Sequence, residues 1–259
     1  MDQSRICRAF SHARDYDSHA GIQRLVARRL ARKIVAEPLP DNPRVLEIGC
    51  GTGLLTRALC ELGFRGQWLI TDISPNMVAR CRENMGTLPG LRFAVLDGEH
   101  GDLSAYGPFD LICSSLAMQW FDDQATAIGR MIDSLTPGGH CMFSTLAHGS
   151  FAEWRRACAA EGFPAGTRHF LTISDFSRIF PQAQAELHTV DRLVDRYDTA
   201  LEFLRALRII GATTPHDGHN PTAPGALRQV MRNFERAGAT TTYEVVTCHY
   251  LHVEDGHLT

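Results

Sequence analysis

Arg44-Val45-Leu46-Glu47-Ile48 runs directly into Gly49-Cys50-Gly51-Thr52-Gly53, and a helical pattern follows from Leu54 to Leu62, ending near Gly63. The first five residues are an apolar run broken by one acid and read as a buried strand. The glycines let the main chain turn sharply and approach a ligand closely. A dinucleotide fingerprint needs a small residue at the sixth position counted from Gly49. Leu54 stands there, which disfavours a nicotinamide-dependent dehydrogenase. The spacing is instead G-x-G-x-G, with an acid two residues upstream.

Short apolar runs alternate with helical patterns on both sides of this stretch, as in α/β architecture. Gly21 to Ala36 reads as a basic helix with Ile22, Leu25, Val26 and Leu30 inward, closed by Pro38, Pro40 and Pro43. Further strands are expected at Trp68–Thr71, Leu91–Leu96, Phe109–Ser114, His140–Thr145, His188–Tyr197 and Thr241–Val253. Helices are expected at Pro75–Met85, Asp122–Leu135, Phe151–Glu161, Thr199–Ile210 and Pro224–Arg236. Pro137-Gly138-Gly139 reads as a turn, and Ser174 as the cap of a short helix. One domain over 1–259 is expected. It comprises an N-terminal helical lid at 1–40, a core at 41–150, and insertions with the last strands at 151–259.

Composition narrows the function classes. The net charge of −3 argues against a dedicated nucleic-acid binder. No run approaches the ~18 apolar residues of a membrane span, and polar residues near the start argue against a secretory signal. Residues 1–40 carry eight basic and four acidic side chains, making that segment the basic part. The eight cysteines form no CxxC pair, and no His/Cys cluster has zinc-like spacing. The expectation is a reduced, cytoplasmic, monomeric protein with no metal.

The glycine stretch resembles motif I of class I S-adenosylmethionine-dependent methyltransferases. The resemblance implies a Rossmann-like, mostly parallel seven-stranded sheet with helices on both faces, a last strand antiparallel, and helical lid insertions. An acid before the glycines suits the ammonium and sulfonium of S-adenosylmethionine, which leaves as S-adenosylhomocysteine. Glu47, Gly49, Cys50, Gly51 and Gly53 are the first cofactor candidates. Asp72 ends strand two, placed to accept ribose hydroxyls. Asp97, followed by Gly98, ends strand three at the position that faces the adenine amino group. Ile73 and Met77 either flank the adenine or pack in the core. Ser115, and Tyr16 from the N-terminal segment, complete the cofactor set.

Other stretches narrow the resemblance. They are Phe10-Ser11-His12-Ala13, Asp15 to Ala20, Ser115-Leu116-Ala117-Met118-Gln119-Trp120, Arg168-His169-Phe170-Leu171 and Leu204 to Thr213. Together they resemble the malonyl-acyl-carrier-protein O-methyltransferases of early biotin synthesis, the BioC family. The resemblance spans nearly the whole chain, although Glu47 is Asp in many relatives and Arg208 is often Lys. It implies methyl transfer to the free carboxylate of malonyl-acyl-carrier protein, or of malonyl-coenzyme A. No general base is needed, because a carboxylate with a pKa of roughly 4 is ionised at neutral pH.

An arginine fork is the natural clamp for that carboxylate. Arg208 is the favoured residue and Arg168 the second. Arg205 shares a helix face with Arg208, and a merely solvated basic face is the competing reading. Gln119 and Trp120 are candidates to shape the substrate pocket, and Tyr16 and His19 to fold over the cofactor. Arg24, Arg28 and Arg32 form a stripe that either docks an acidic carrier protein or serves solubility. Two other functions remain open: a carboxylate methyltransferase of trans-aconitate type, and a non-catalytic S-adenosylmethionine-binding regulator.

Overall fold

The computed structural model describes residues 21–179, 185–209 and 224–253, without the side chains of 177, 185–188, 208, 209 and 224. Tyr16 and His19 lie outside the described residues. The side chain of Arg208 lies outside them too. The elements in chain order are α1 (Gly21–Ile34), β1 (Arg44–Ile48), α2 (Leu54–Glu61), β2 (Gln67–Asp72), α3 (Pro75–Met85), β3 (Leu91–Val95) and β4 (Phe109–Ser115). A 3₁₀ turn (Met118–Trp120), α4 (Gln124–Asp133), β5 (Leu135–Leu146), α5 (Ala152–Ala160), α6 (Ile173–Ile179) and β6 (Ala185–Arg196) follow. The chain then forms α7 (Ala200–Ile209), α8 (Pro224–Arg236) and β7 (Thr240–Leu251).

The seven strands lie in the order β3-β2-β1-β4-β5-β7-β6. β3, β2, β1, β4 and β5 pair in parallel. Strand order reverses between β1 and β4, and open α/β sheets hold ligands beyond the carboxyl ends of the strands at such a point. Parallel strands must be covered on both faces. Here alternate residues on each side are buried: Val45, Trp68, Ile70 and Leu111 on one, Leu46, Leu69, Ile112 and Phe143 on the other. The first set packs with Leu30, Ile34, Leu55, Leu59 and Met85 from α1, α2 and α3.

Three local expectations change. In α1 the buried face is Gln23, Val26, Ala27, Leu30, Ala31 and Ile34, whereas Leu25 is 39 % exposed. The small alanines let that face approach α2, so leucine content alone misplaces the stripe. Pro137–Gly139 is not a turn between elements but a bulge inside β5. Gly138 N–H donates to the carbonyl of His252, whose own N–H donates to Gly139. Two residues thus oppose one, with Gly138 at φ 74°. Ser174 lies inside α6, one residue past its start, and is not its cap.

The described residues fall into two compact units. One contains 21–145, 174–179, 185–189 and 246–253, and so holds the strand–glycine–helix opening. The other contains 146–173, 190–209 and 224–245. Its core is aromatic: Phe151, Trp154, Phe203, Phe234 and Tyr243 meet edge-on, tilted or stacked. The Tyr197 and Tyr243 hydroxyls lie 2.9 Å apart, satisfying two buried polar ends. Glu153 accepts from both the N–H and the hydroxyl of Thr242.

Candidate functional site

The loop after β1 is built from three left-handed glycines, Gly49 (φ 69°), Gly51 (φ 52°) and Gly53 (φ 90°). Each serves a different purpose. A Cβ on Gly49 would lie 2.3 Å from the Cβ of Ala117, so this glycine lets the loop pass the segment that leaves β4. A Cβ on Gly53 would press on Cys81 and Met85, so this one lets α2 settle against α3. A Cβ on Gly51 would meet nothing within 4 Å. Gly51 thus leaves its side of the loop open as a cradle, where a ligand can approach the main chain closely.

Asp72 holds this cradle from β2. One carboxylate oxygen accepts the N–H of Gly51 at 3.0 Å and the other the N–H of Ser74 at 2.8 Å. The loop is also tied by the Cys50 N–H to the carbonyl of Thr71. Burial raises the pKa of Asp72, against the two backbone bonds that lower it. Glu47 is 1 % exposed and accepts the Thr56 hydroxyl at 2.5 Å. Its pKa is pushed up to about 7, chiefly by burial, with the Asp72 charge adding to the rise. Among the described residues, no cationic side chain pairs with either acid. Two buried carboxyls in that situation favour a cationic ligand. This donor set and the open cradle fit the ammonium and sulfonium of S-adenosylmethionine.

The other cofactor candidates are placed as follows. Cys50 is buried, its Sγ 3.7 Å from the Gly51 carbonyl. Its thiol pKa is raised by the hydrogen bond with Cys81 and by burial, and its side chain belongs to the core cluster. Ile73 is half-buried, while Met77 is 1 % exposed and sits in the core. Asp97 folds its own turn, one oxygen accepting the N–H groups of Glu99 and His100. Gly98 is buried, and a Cβ there would lie 2.3 Å from Ile48 Cγ2. Ser115 ends β4, half-buried, with the Ser144 hydroxyl 3.5 Å away.

Leu116, next in the chain, has φ 55°, a conformation that costs a non-glycine residue energy. That strain turns Ala117 onto Gly49. Gln119 is buried and spends its amide internally, donating to the Leu116 carbonyl and accepting from Thr145. Trp120 is 8 % exposed. Glu99 accepts the N–H groups of Asp122 and Asp123, and Arg130 donates to the Glu99 and Gly101 carbonyls. Thr56, Ser74, Glu99 and Arg130 have no counterpart in the motif reading. Leu116 and Ala117 enter it only within the Ser115–Trp120 stretch, with no role of their own.

The arginine candidates belong to the aromatic unit, whereas Gln119 and Trp120 belong to the unit that holds the cradle. Arg168 lies between α5 and α6 and is 8 % exposed. Among the described side chains it is the only buried arginine. Arg205 on α7 is exposed.

The methyltransferase-domain family matches residues 16–190. The chain is 43% identical over 92% of its length to the biotin biosynthesis bifunctional protein BioCD of Bordetella avium, of which it spans 50%. It is 38% identical over 93% of its length to the malonyl-[acyl-carrier protein] O-methyltransferase of Magnetococcus marinus, of which it spans 90%. Among solved structures, YcgJ from Bacillus subtilis superposes with a TM-score of 0.59 at 16% identity, over 87% of this chain and 98% of that one. That last likeness speaks for the fold, and the parallel sheet with its β1–β4 switch point agrees with it. The acidic glycine cradle and the extent of the sequence match together place the chain in the malonyl-[acyl-carrier protein] O-methyltransferase family.

Proposed function

We propose that this chain transfers a methyl group from S-adenosylmethionine to the free carboxylate of malonyl-acyl-carrier protein, the ester that starts the chain built for biotin. The observation that carries this reading is the 38% identity across 90% of a relative bearing that name. The acidic cradle supports it. S-adenosylmethionine, when bound, supplies a methyl group on a sulfonium. Gly51 offers its open side to the cofactor, Glu47 favours its positive charges, and Asp72 is proposed to accept its ribose hydroxyls. Asp97, Gly98, Ile73 and Ser115 are proposed to bound it, with Tyr16 closing over it, whereas Met77 packs in the core.

The acceptor carboxylate is already ionised at neutral pH, so the chain supplies no general base. Its residues bind, orient and exclude water, and orientation alone is worth roughly up to 7–11 kcal/mol in good cases. The test is transfer of labelled methyl from S-adenosylmethionine to malonyl-acyl-carrier protein, with free dicarboxylates in parallel. Equal or faster labelling of a free dicarboxylate overturns the assignment of acceptor. We further infer that both units serve one methyltransferase domain, acting as a monomer in the cytoplasm.

Arg168, Arg205 and Arg208 are the candidates to hold the acceptor, and Gln119, Trp120 and His19 are separate substrate candidates. Arg168 is buried, and an arginine fork matches a carboxylate, so it is the first to test. Arg168→Lys is expected to raise the KM for the malonyl thioester at least about tenfold, ~1.4 kcal/mol, with S-adenosylmethionine affinity unchanged. Wild-type kinetics for this variant would leave Arg208→Ala as the next test.

On α1, Arg28 and Arg32 are exposed one turn apart, beside the exposed Leu25, while Arg24 is half-buried. This surface suits an acidic carrier protein, and its attraction is screened over roughly 8 Å at physiological salt. Reversing Arg28 and Arg32 to Glu is expected to slow methylation of the carrier-bound substrate several-fold at low salt. Malonyl-coenzyme A, if accepted, should react as before. Equal loss on both substrates moves the docking surface elsewhere.

A further inference from the structure

Glu37, His140 and His249 come together in the unit that holds the glycine cradle, yet methyl transfer has no use for them. Glu37 sits in the turn that closes α1, its N–H bonded to the carbonyl of Ile34. His140 follows the Gly138–Gly139 bulge on β5. His249 comes from β7, the neighbouring strand. His140 Nδ1 lies 2.8 Å from His249 Nε2, and the rings stack at 5.0 Å with 17° between their planes. The Glu37 carboxylate lies 4.0 Å from His140 Nδ1 and 3.8 Å from His249 Nδ1. One ligand atom from each residue falls within 4.8 Å of the other two.

The cluster is separate from the cradle. His140 is in register with Leu111 on β4, and Leu111 with Val45 on β1. Val45 is four residues before Gly49, about 13 Å along a strand.

We propose that Glu37, His140 and His249 form a binding site for one divalent transition-metal ion of the zinc class. Two imidazoles and a carboxylate, with a fourth position left for water, are a set that zinc takes. Neutral imidazole is the ligand form. His140 is 3 % exposed, so its ring is held inside the fold. Two nitrogens at 2.8 Å need open by only about half an ångström, because ligands of a tetrahedral zinc with Zn–N near 2.0–2.1 Å stand roughly 3.3 Å apart. Glu37, with 22 % of its side chain exposed, gives the ion a path from solvent. Its carboxylate balances half of the ion's charge. Bound there, the ion ties the turn between α1 and β1 to β5 and β7.

The test uses the full chain without a tag, stripped with a chelator and titrated with Zn²⁺ by calorimetry and with Co²⁺ by visible absorption. The wild type is expected to take up one ion per chain, with Co²⁺ giving ligand-field bands of a nitrogen- and oxygen-bound site. Glu37→Gln and His249→Ala should each weaken binding at least about tenfold. Zn²⁺ at a concentration that saturates the wild type should raise its Tm, and raise that of the variants by less. If His249→Ala fails to fold, Glu37→Gln carries the test, since it alters only the partly exposed ligand. Absence of saturable binding to the wild type overturns the proposal. So does binding that Glu37→Gln leaves unchanged, because the ion then sits elsewhere.

Discussion

Gly49→Ala is expected to lower the stability of the chain by roughly 2–5 kcal/mol, from overpacking of about 1–3 and a left-handed backbone cost of about 1–2. The added Cβ would stand 2.3 Å from the Cβ of Ala117, on a backbone held at φ 69°. The companion change Ala117→Gly should restore the overpacking part and leave the backbone part. Gly51→Ala should behave differently. Its Cβ meets nothing within 4 Å, so stability should fall only by the backbone cost of about 1–2 kcal/mol. Yet that methyl would project into the cradle, and S-adenosylmethionine affinity should fall at least about tenfold, ~1.4 kcal/mol. Urea denaturation and calorimetry on the same two variants separate the effects. A folded Gly51→Ala that binds the cofactor as tightly as wild type would remove the cradle from the site.

Glu47 should make the stability of the ligand-free chain fall as pH rises from about 4.5 to about 7. Its carboxyl, ordinarily at 4.5, titrates near 7 in the fold. Below 4.5 both folded and unfolded chains hold the proton, and no penalty exists. Between the two values the unfolded chain releases a proton that the folded chain keeps, so stability declines with pH. Above 7 the penalty levels off at roughly 3 kcal/mol, at 1.36 kcal/mol per pKa unit. Glu47→Gln keeps an acceptor for Thr56 and removes the ionisation. It should therefore be more stable than wild type at about pH 8 and nearly equal to it at about pH 4.5. A nearby cation favours the ionised form, so cofactor affinity should rise through neutral pH, with proton release visible in buffers of different ionisation enthalpy. Parallel stability profiles for wild type and Glu47→Gln would exclude this role.

The parts of the fold legible in the sequence are those with a local physical cause. Glycines at 49, 51 and 53 are demanded by left-handed backbone, and apolar runs such as Val45 to Ile48 by a sheet buried on both faces. Acids at strand ends, Asp72 and Asp97, were legible as positions. Their bonds were not, because Asp72 reaches back 21 residues to the Gly51 N–H. Pro137–Gly139 misled because a turn and a bulge ask for the same residues. Leu25 misled because alanines carry little hydrophobic contrast, yet they line the packed face of α1. Glu37, His140 and His249 are spread over the chain, and only the pairing of β5 with β7 brings the two histidines together. No local spacing encodes them.

The three tryptophans divide the chain as optical labels. Trp154 is buried within the aromatic cluster of one unit, its indole N–H bonded to the Ala165 carbonyl at 3.0 Å. Trp68 is buried in the other, edge-on to Phe64 at 5.5 Å, and Trp120 belongs to that unit as well. Emission from a chain that keeps only Trp154 thus reports on the aromatic unit alone. A chain that keeps only Trp68 reports on the unit that carries the glycine cradle. Whether the two emissions change at one urea concentration or at two is a direct reading of how cooperatively the chain unfolds.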